Sequence, residues 1–203
     1  MPRPALSQDA IEAYRERIID AATHLFAERG YAGVTMRAIA AELGCSPMTP
    51  YRYFRDKDEI FAMIKAGLYA RFAQAQEQAS RASLDPLDRL GKLGGAYVQF
   101  AFDDPDGYRI MFEIHRDPPE SYAELDEAAL GTWRPLRDAV AQAVEAGVIT
   151  GNPDVVAHLL WAGLHGVITL HLAGKLTFGA AVKDLVEPMM ATLVRGNSAP
   201  GGN

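Results

Sequence analysis

What this chain has little of narrows its identity quickly. A single cysteine, Cys45, among 203 residues leaves no intramolecular disulfide to form and suits a reducing, cytoplasmic setting. There is no HExxH pair, no phosphate-cradling glycine loop and no nucleophile elbow, so the familiar hydrolase and phosphoryl-transfer signatures are missing. Strand-like alternation and internal repeats are absent too, which leaves helical periodicity as the organising pattern. Basic charge is not in excess: the net charge is −6, with 8 basic and 9 acidic groups in residues 1–60 and 12 and 17 in the rest. A uniformly basic nucleic-acid binder is thereby excluded, although a local positive face is not. The start, MPRPALSQDAIEAYRER, holds no apolar run of the kind a signal peptide needs. Residues 1–10 read as a loose arm from which Arg3 could reach a minor groove, and 196–203 as a flexible tail.

What is present is a chain with 49% hydrophobic residues, enough to bury a core, arranged with helical spacing throughout. Ile18, Ala22, Leu25 and Phe26 mark a first helix closed by Gly30. Met36, Ile39, Ala40 and Leu43 mark a second, capped by Thr35 and ended by Gly44, where a left-handed backbone is free of a Cβ penalty. Ser46 and Pro47 then form an N-cap and first helical position, so a third short helix is expected to begin at once. Two helices joined so tightly cross steeply, which makes the second project as a probe. Met48, Thr49, Tyr51, Arg52 and Tyr53 on that probe offer an apolar contact, hydroxyls and a guanidinium, the groups that touch thymine methyls, phosphates and guanine edges. Asp56 and Glu59 make a capping-box-like start to a helix of about 57–81, whose first turn would put Lys57 close to a phosphate.

At these residues the sequence resembles the TetR family of bacterial transcriptional regulators. RERIIDAATHLFAERGYAGVTMRAIAAELGCS and YRYFRDKDEIF carry the likeness over roughly the first third of the chain. It implies an all-α homodimer of about nine helices: a three-helix DNA-binding domain over 11–56, with its helix-turn-helix at 35–54, and a ligand-binding and dimerisation domain over 57–195. The family's DNA-contacting positions fall on Thr35, Arg37, Pro47, Met48, Thr49, Tyr51, Arg52, Tyr53 and Lys57. One departure is Pro50, which stands where a leucine or isoleucine is usual and removes both an anchoring side chain and an early N–H donor. The partners implied are a double-stranded palindromic operator and a small apolar or aromatic effector that releases a repressor, with no membrane and no cofactor.

Beyond residue 81, SLDP at 83–86 starts a helix reaching about 102, DDPDG breaks it, and 108–114 looks like a short helical piece. HRDPPE at 115–120 reads as a loop, and 121–148 as a long helix with a kink or interruption at Pro135 near Trp133. Residues 155–174 contain no Asp, Glu, Lys or Arg, long enough for a membrane span by length alone. Three histidines, three glycines and a threonine within it, without basic flanks or aromatic belts, argue instead for a helix covered on all sides by protein. With Val182, Leu185, Val186, Met189 and Leu193 on the next helix, a second copy of the chain would cover it, through about 153–174 and 179–195. The run LLWAGLHGVITL resembles a TetR subgroup with a Trp, His and Gly signature, here Trp161, His165 and Gly166. An effector pocket is expected among Tyr97, Phe100, Met111, Phe112, His115, Trp133, Trp161 and His165, an apolar set with a few polar groups.

Two rival readings follow from the same residues. A helical metalloenzyme could use His158, His165 and His171, but His171 points some 140° away from the face the other two share. A helical dimeric sensor or scaffold that binds no DNA would follow if Pro50 disables the probe.

Overall fold

The structure, a computed structural model, describes residues 7–114 and 123–198. Within them lie eight α-helices and one 3₁₀ turn: α1 (Gln8–Arg29), α2 (Met36–Glu42), the turn η1 (Pro50–Arg52), α3 (Lys57–Arg81), α4 (Pro86–Asp103), α5 (Pro105–Phe112), α6 (Ala123–Glu145), α7 (Pro153–Leu172) and α8 (Val182–Gly196). No strand occurs among the described residues beyond one isolated bridge, Ile149 with Ser198. The expected fold class is therefore observed, with eight α-helices where about nine were expected.

Several boundaries follow their caps. Ser7 accepts from the Ala10 amide at 3.2 Å, so α1 begins within the segment read as an arm; Arg3 and the loop 115–120 lie outside the described residues. Asp85 caps α4 by accepting from the Asp88 amide at 2.8 Å. The break after α4 is one residue wide, Asp104, because Pro105 serves as the first residue of α5 and needs no N–H there. The expected interruption at Pro135 does not occur, since α6 runs unbroken from Ala123 to Glu145. The ring of Pro135 faces the carbonyl of Gly131 four residues earlier, and a glycine there adds no side chain to the crowding.

The chain divides into two compact units. The first comprises Met1–Tyr69 and Asp106–Glu127, the second Ala70–Pro105 and Ala128–Asn203. In the first, Phe26 of α1 meets Phe61 of α3 edge-on at 4.9 Å, and Tyr31 meets both rings at 5.8 and 5.1 Å. Ile18, Leu25, Val34, Ile39, Ile60 and Tyr108 complete a core sealed from solvent. Tyr69 donates to the Met111 carbonyl at 3.3 Å, and burial raises its phenol above the ordinary value.

In the second unit the core joins Leu90 and Leu93 of α4, Ala139, Val140 and Ala143 of α6, Ile149, and Val156, Ala157 and Leu160 of α7. Gln76, buried, satisfies its amide on the Leu93 carbonyl at 3.3 Å. Helices α7 and α8 pack together at Gly163, where an added Cβ would lie 2.9 Å from the Met189 sulfur and 3.0 Å from Leu193.

Candidate nucleic-acid interface

The interface is built upward from the link between α1 and α2. Gly30 ends α1 at φ +66 and donates to the Phe26 carbonyl at 2.9 Å. Gly33 is needed for another reason: a Cβ there would sit 2.5 Å from the Arg29 carbonyl oxygen, a backbone atom that cannot move aside. The Lys57 ammonium then reaches back from α3 to donate to the Tyr31 carbonyl at 3.0 Å and the Val34 carbonyl at 2.9 Å, lying 4.1 Å from the Tyr31 ring centre. Lys57, expected beside a phosphate, is thus a half-buried strut that ties the link to α3.

Thr35 caps α2, accepting from the Ala38 amide at 3.1 Å. At the other end Gly44, at φ +63, donates to Ala41, and Cys45 donates to Ala40, the paired bonds that close a helix through a left-handed residue. Both features match the sequence reading. The next does not, for no α-helix follows Ser46.

Residues 47–53 form successive tight turns with a 3₁₀ segment at Pro50–Arg52. Thr49 donates to Ser46 at 2.8 Å, Arg52 to Thr49 at 3.1 Å and Tyr53 to Pro50 at 3.0 Å, all three residues apart; only Phe54 to Pro50, at 3.0 Å, has α-helical spacing. The cause is Pro50, which has no N–H to return to Ser46 and whose ring would collide with that carbonyl in an α-helix. Pro47 is exposed in a turn rather than opening a helix. Pro50 is buried, so it supplies an apolar anchor itself instead of removing one.

Six of the nine expected contact positions, Thr35, Arg37, Pro47, Met48, Tyr51 and Arg52, are solvent-exposed. The side chains of Arg37, Tyr51 and Arg52 make no hydrogen bond or ion pair with any described residue, so their polar ends are available. Met48 is 67% and Tyr51 49% exposed, unusual for residues of this size in a unit with a closed core. Thr49 is half-buried, and Tyr53 lies flat against Tyr14 of α1, ring centres 4.9 Å apart. Arg55 pairs with Glu59 at 3.4 Å. Glu59 also accepts from the Arg55 amide while Asp56 caps the Glu59 amide at 2.9 Å, a box displaced by one residue from the expected form. Two guanidiniums, Arg37 and Arg52, are the cations of this face that stay unengaged.

The expected effector residues are divided between the two units. His115 lies outside the described residues, and Met111 and Phe112 belong to the first unit. The others form a connected string in the second unit. Tyr97 shares a hydrogen bond with His165 Nδ1 at 3.2 Å, Thr169 approaches His165 Nε2 at 3.5 Å, and Trp161 lies 5.8 Å from the His165 ring. Trp133 meets Trp161 at 6.1 Å and His158 at 4.3 Å, while Phe72 separates Tyr97 from Phe100 with ring distances of 5.4 and 4.9 Å. The three histidines of α7 go to different neighbours: His158 to the Asp154 carbonyl, His165 to Tyr97, His171 to the Phe102 ring.

The residues that sequence reasoning passed over are Tyr14, Arg15 and Gly33. Nothing in local spacing flags them, since their partners lie elsewhere in the fold or in the backbone.

Comparison with known proteins agrees with this architecture. Residues 18–64 match the family model described as bacterial regulatory proteins, tetR family, and residues 90–193 match the one described as tetracyclin repressor-like, C-terminal domain. An HTH-type transcriptional repressor of Mycobacterium tuberculosis is 36% identical over 196 residues, covering 91% of this chain and 96% of its own. The HTH-type transcriptional activator FasR of Mycolicibacterium smegmatis is 30% identical over 99 residues, 49% of this chain and 45% of FasR. A solved protein of unknown function from Rhodococcus sp. RHA1 superposes with a TM-score of 0.78 at 26% identity, over 98% of this chain and 100% of that one. The fatty acid degradation regulator FadR from Bacillus halodurans, 20% identical, shares the fold at a TM-score of 0.75 over 95% and 98% of the two chains.

Proposed function

We propose that this chain, which belongs to the TetR family of DNA-binding transcriptional regulators, is a ligand-responsive repressor that reads a palindromic operator as a homodimer. The carrying observation is the exposed band of Met48, Tyr51 and Arg52, with Arg37 on α2, projecting from a segment whose backbone is fixed from behind. In this reading Arg52 and Thr49 meet base edges, Tyr51, Arg37 and Thr35 meet phosphates, Pro47 and Met48 pack on the groove wall, and Tyr53 and Lys57 hold the surface in shape. Few free cations per subunit make affinity depend on two subunits binding together, with a shallow salt dependence. The repressor sign is supported by the relative in Mycobacterium tuberculosis, whose name gives it that role.

Dimerisation is assigned to α7 and α8. Helix α7 is long and apolar enough to cross a membrane by length and composition, with 28% of that stretch buried within the chain. Val155, Leu159 and Leu170 stand 57%, 43% and 47% exposed along it. An open apolar groove lined by Val167, Leu185, Pro188, Met189, Thr192 and Leu193 continues the patch. Apolar area of this extent is expected to be covered by a second copy. An apolar or aromatic effector would bind near Tyr97, Trp161 and His165. It would act by favouring a dimer geometry whose probes no longer match major-groove positions roughly 34 to 36 Å apart.

The test is selection of bound sequences from random DNA with the purified protein, followed by mobility shift on the enriched palindrome. Enrichment lost in the Tyr51→Ala, Arg52→Ala double variant is the expected result. No enrichment with wild type would leave the scaffold reading in its place.

A further inference from the structure

The segment that faces DNA cannot hold its own shape. Its only regular piece is three residues of 3₁₀ helix, two of its positions are prolines without an N–H, and one of its backbone bonds has α-helical spacing. A single turn fixes several dihedrals for each bond gained, so an isolated segment of this kind would be mostly unfolded in water. Whatever presents Tyr51 and Arg52 in one orientation must therefore come from outside the segment.

Two adjacent residues of α1 meet that need. The Arg15 guanidinium donates through Nη1 to the Tyr53 carbonyl, the residue that closes η1. It lies 4.3 Å above the centre of the buried Phe54 ring, and its Nη2 points at the Met63 sulfur at 3.2 Å. Its side chain is only 22% exposed, and its one nearby carboxylate, Glu12, is at the outer limit of an ion pair, 4.0 Å. Arg15 thus turns inward, unlike the solvated Arg37 and Arg52. Tyr14, next to it, stacks on Tyr53 with the rings 23° from parallel, and the nearby Cys45, at the start of the turn, raises its phenol above the ordinary value. Consecutive positions of one helix thus hold the end of the segment at Tyr53 and Phe54.

We infer that Arg15, assisted by Tyr14, is the positioning residue for operator recognition: its planar fork bridges the Tyr53 carbonyl, the Phe54 face and the Met63 sulfur, and so sets the direction of Tyr51 and Arg52. A carbonyl at the end of a helical turn carries partial negative charge, and a guanidinium bound to it forms a charge-assisted hydrogen bond. Lysine cannot replace it, because a point charge on a flexible stem does not reach three partners in different directions. Loss of the bridge leaves the contact residues in place but disordered, and operator binding must then supply the ordering entropy.

This inference rests on the DNA-binding reading above, and the experiment separates the two. Wild type, Arg15→Lys and Arg15→Gln full-length proteins are titrated with the selected operator over a series of salt concentrations, and amide exchange of residues 50–54 is followed in each without DNA. Melting temperature and dimer mass serve as folding controls. Both variants are expected to bind the operator roughly ten- to a hundredfold more weakly, the scale of a lost charge-assisted hydrogen bond. The slope of log affinity against log salt should stay at the wild-type value, because no phosphate contact is lost, and the Tyr53 and Phe54 amides should exchange faster. A slope reduced by about one in Arg15→Gln and restored in Arg15→Lys would make Arg15 a phosphate ligand and overturn the inference. Unchanged affinity or unchanged exchange would overturn it equally. Should Arg15→Gln fail to fold, Arg15→Lys alone carries both readouts. Wild type that selects no sequence would end the DNA-binding reading, while the exchange comparison would still decide whether Arg15 holds the turn.

Discussion

The two units treat their surfaces in opposite ways. Among the described residues of the first, polar groups around the turns are engaged: Lys57 on two carbonyls, Thr35 on the Ala38 amide, Arg55 on Glu59, Arg15 on Tyr53. What remains outside is a small set of side chains with unengaged ends. In the second, exposed large apolar groups accumulate, among them Leu84, Leu130, Val155, Leu159, Leu170 and Phe178. One unit exposes polar side chains with unengaged ends; the other exposes apolar surface. In the proposed reading, direction and specificity reside in the first and cohesion in the second.

The sharpest way to break that contrast is to strip the exposed chemistry. Tyr51→Ala with Arg52→Ala should lower operator affinity about a hundredfold or more, each base or phosphate contact being worth roughly 1–3 kcal/mol, while the melting temperature stays near wild type. Charge on the covering surface comes next. Leu159→Glu with Leu170→Glu should convert the dimer to a monomer by light scattering and weaken DNA binding indirectly, leaving helix content intact. If both substitutions leave the dimer whole, the exposed α7 stripe is not where the copies meet.

Smaller effects test whether the first unit is as tightly finished as its bonds imply. Gly33→Ala forces a Cβ against the Arg29 carbonyl and should cost about 1–3 kcal/mol in chemical denaturation. Thr35→Ala removes the cap of α2 and should cost about 1 kcal/mol by the same measurement. The smallest is in the second unit. The Ser83 hydroxyl, with Lys92 helping, holds the Asp88 carboxyl below its ordinary value. A depressed folded-state value means its contribution is present at neutral pH and lost as acid takes the pH down through that value. Asp88→Asn should therefore lower the melting temperature slightly at neutral pH and make no difference in acid below that value, flattening the acid limb of the stability profile.

Much of this was legible in local spacing. The bounds of α3, the Thr35 cap, the Gly44 closure and the apolar character of α7 each depend on residues within a turn or two of one another. What was not legible depends on distance in the chain. The carbonyls that take up Lys57 lie 26 and 23 residues before it, and the one that takes up Arg15 lies 38 after it. No periodicity announces such partners. The third helix failed for a different reason. Ser46 and Pro47 do form a good start signal, but Pro50 cancels the bond that would have extended it, and two correct local rules compete. Aromatic residues at helical spacing report burial rather than a site, and the expected effector residues fall in both units, Met111 and Phe112 in the first.

The 3₁₀ character of the reading segment changes its metre. Side chains in such a turn stack every third residue, with about 2.0 Å of advance per residue rather than 1.5 Å. Aligning this chain to a relative whose corresponding segment is α-helical would pair the right letters with the wrong base steps, so its operator is to be found by selection and not by analogy.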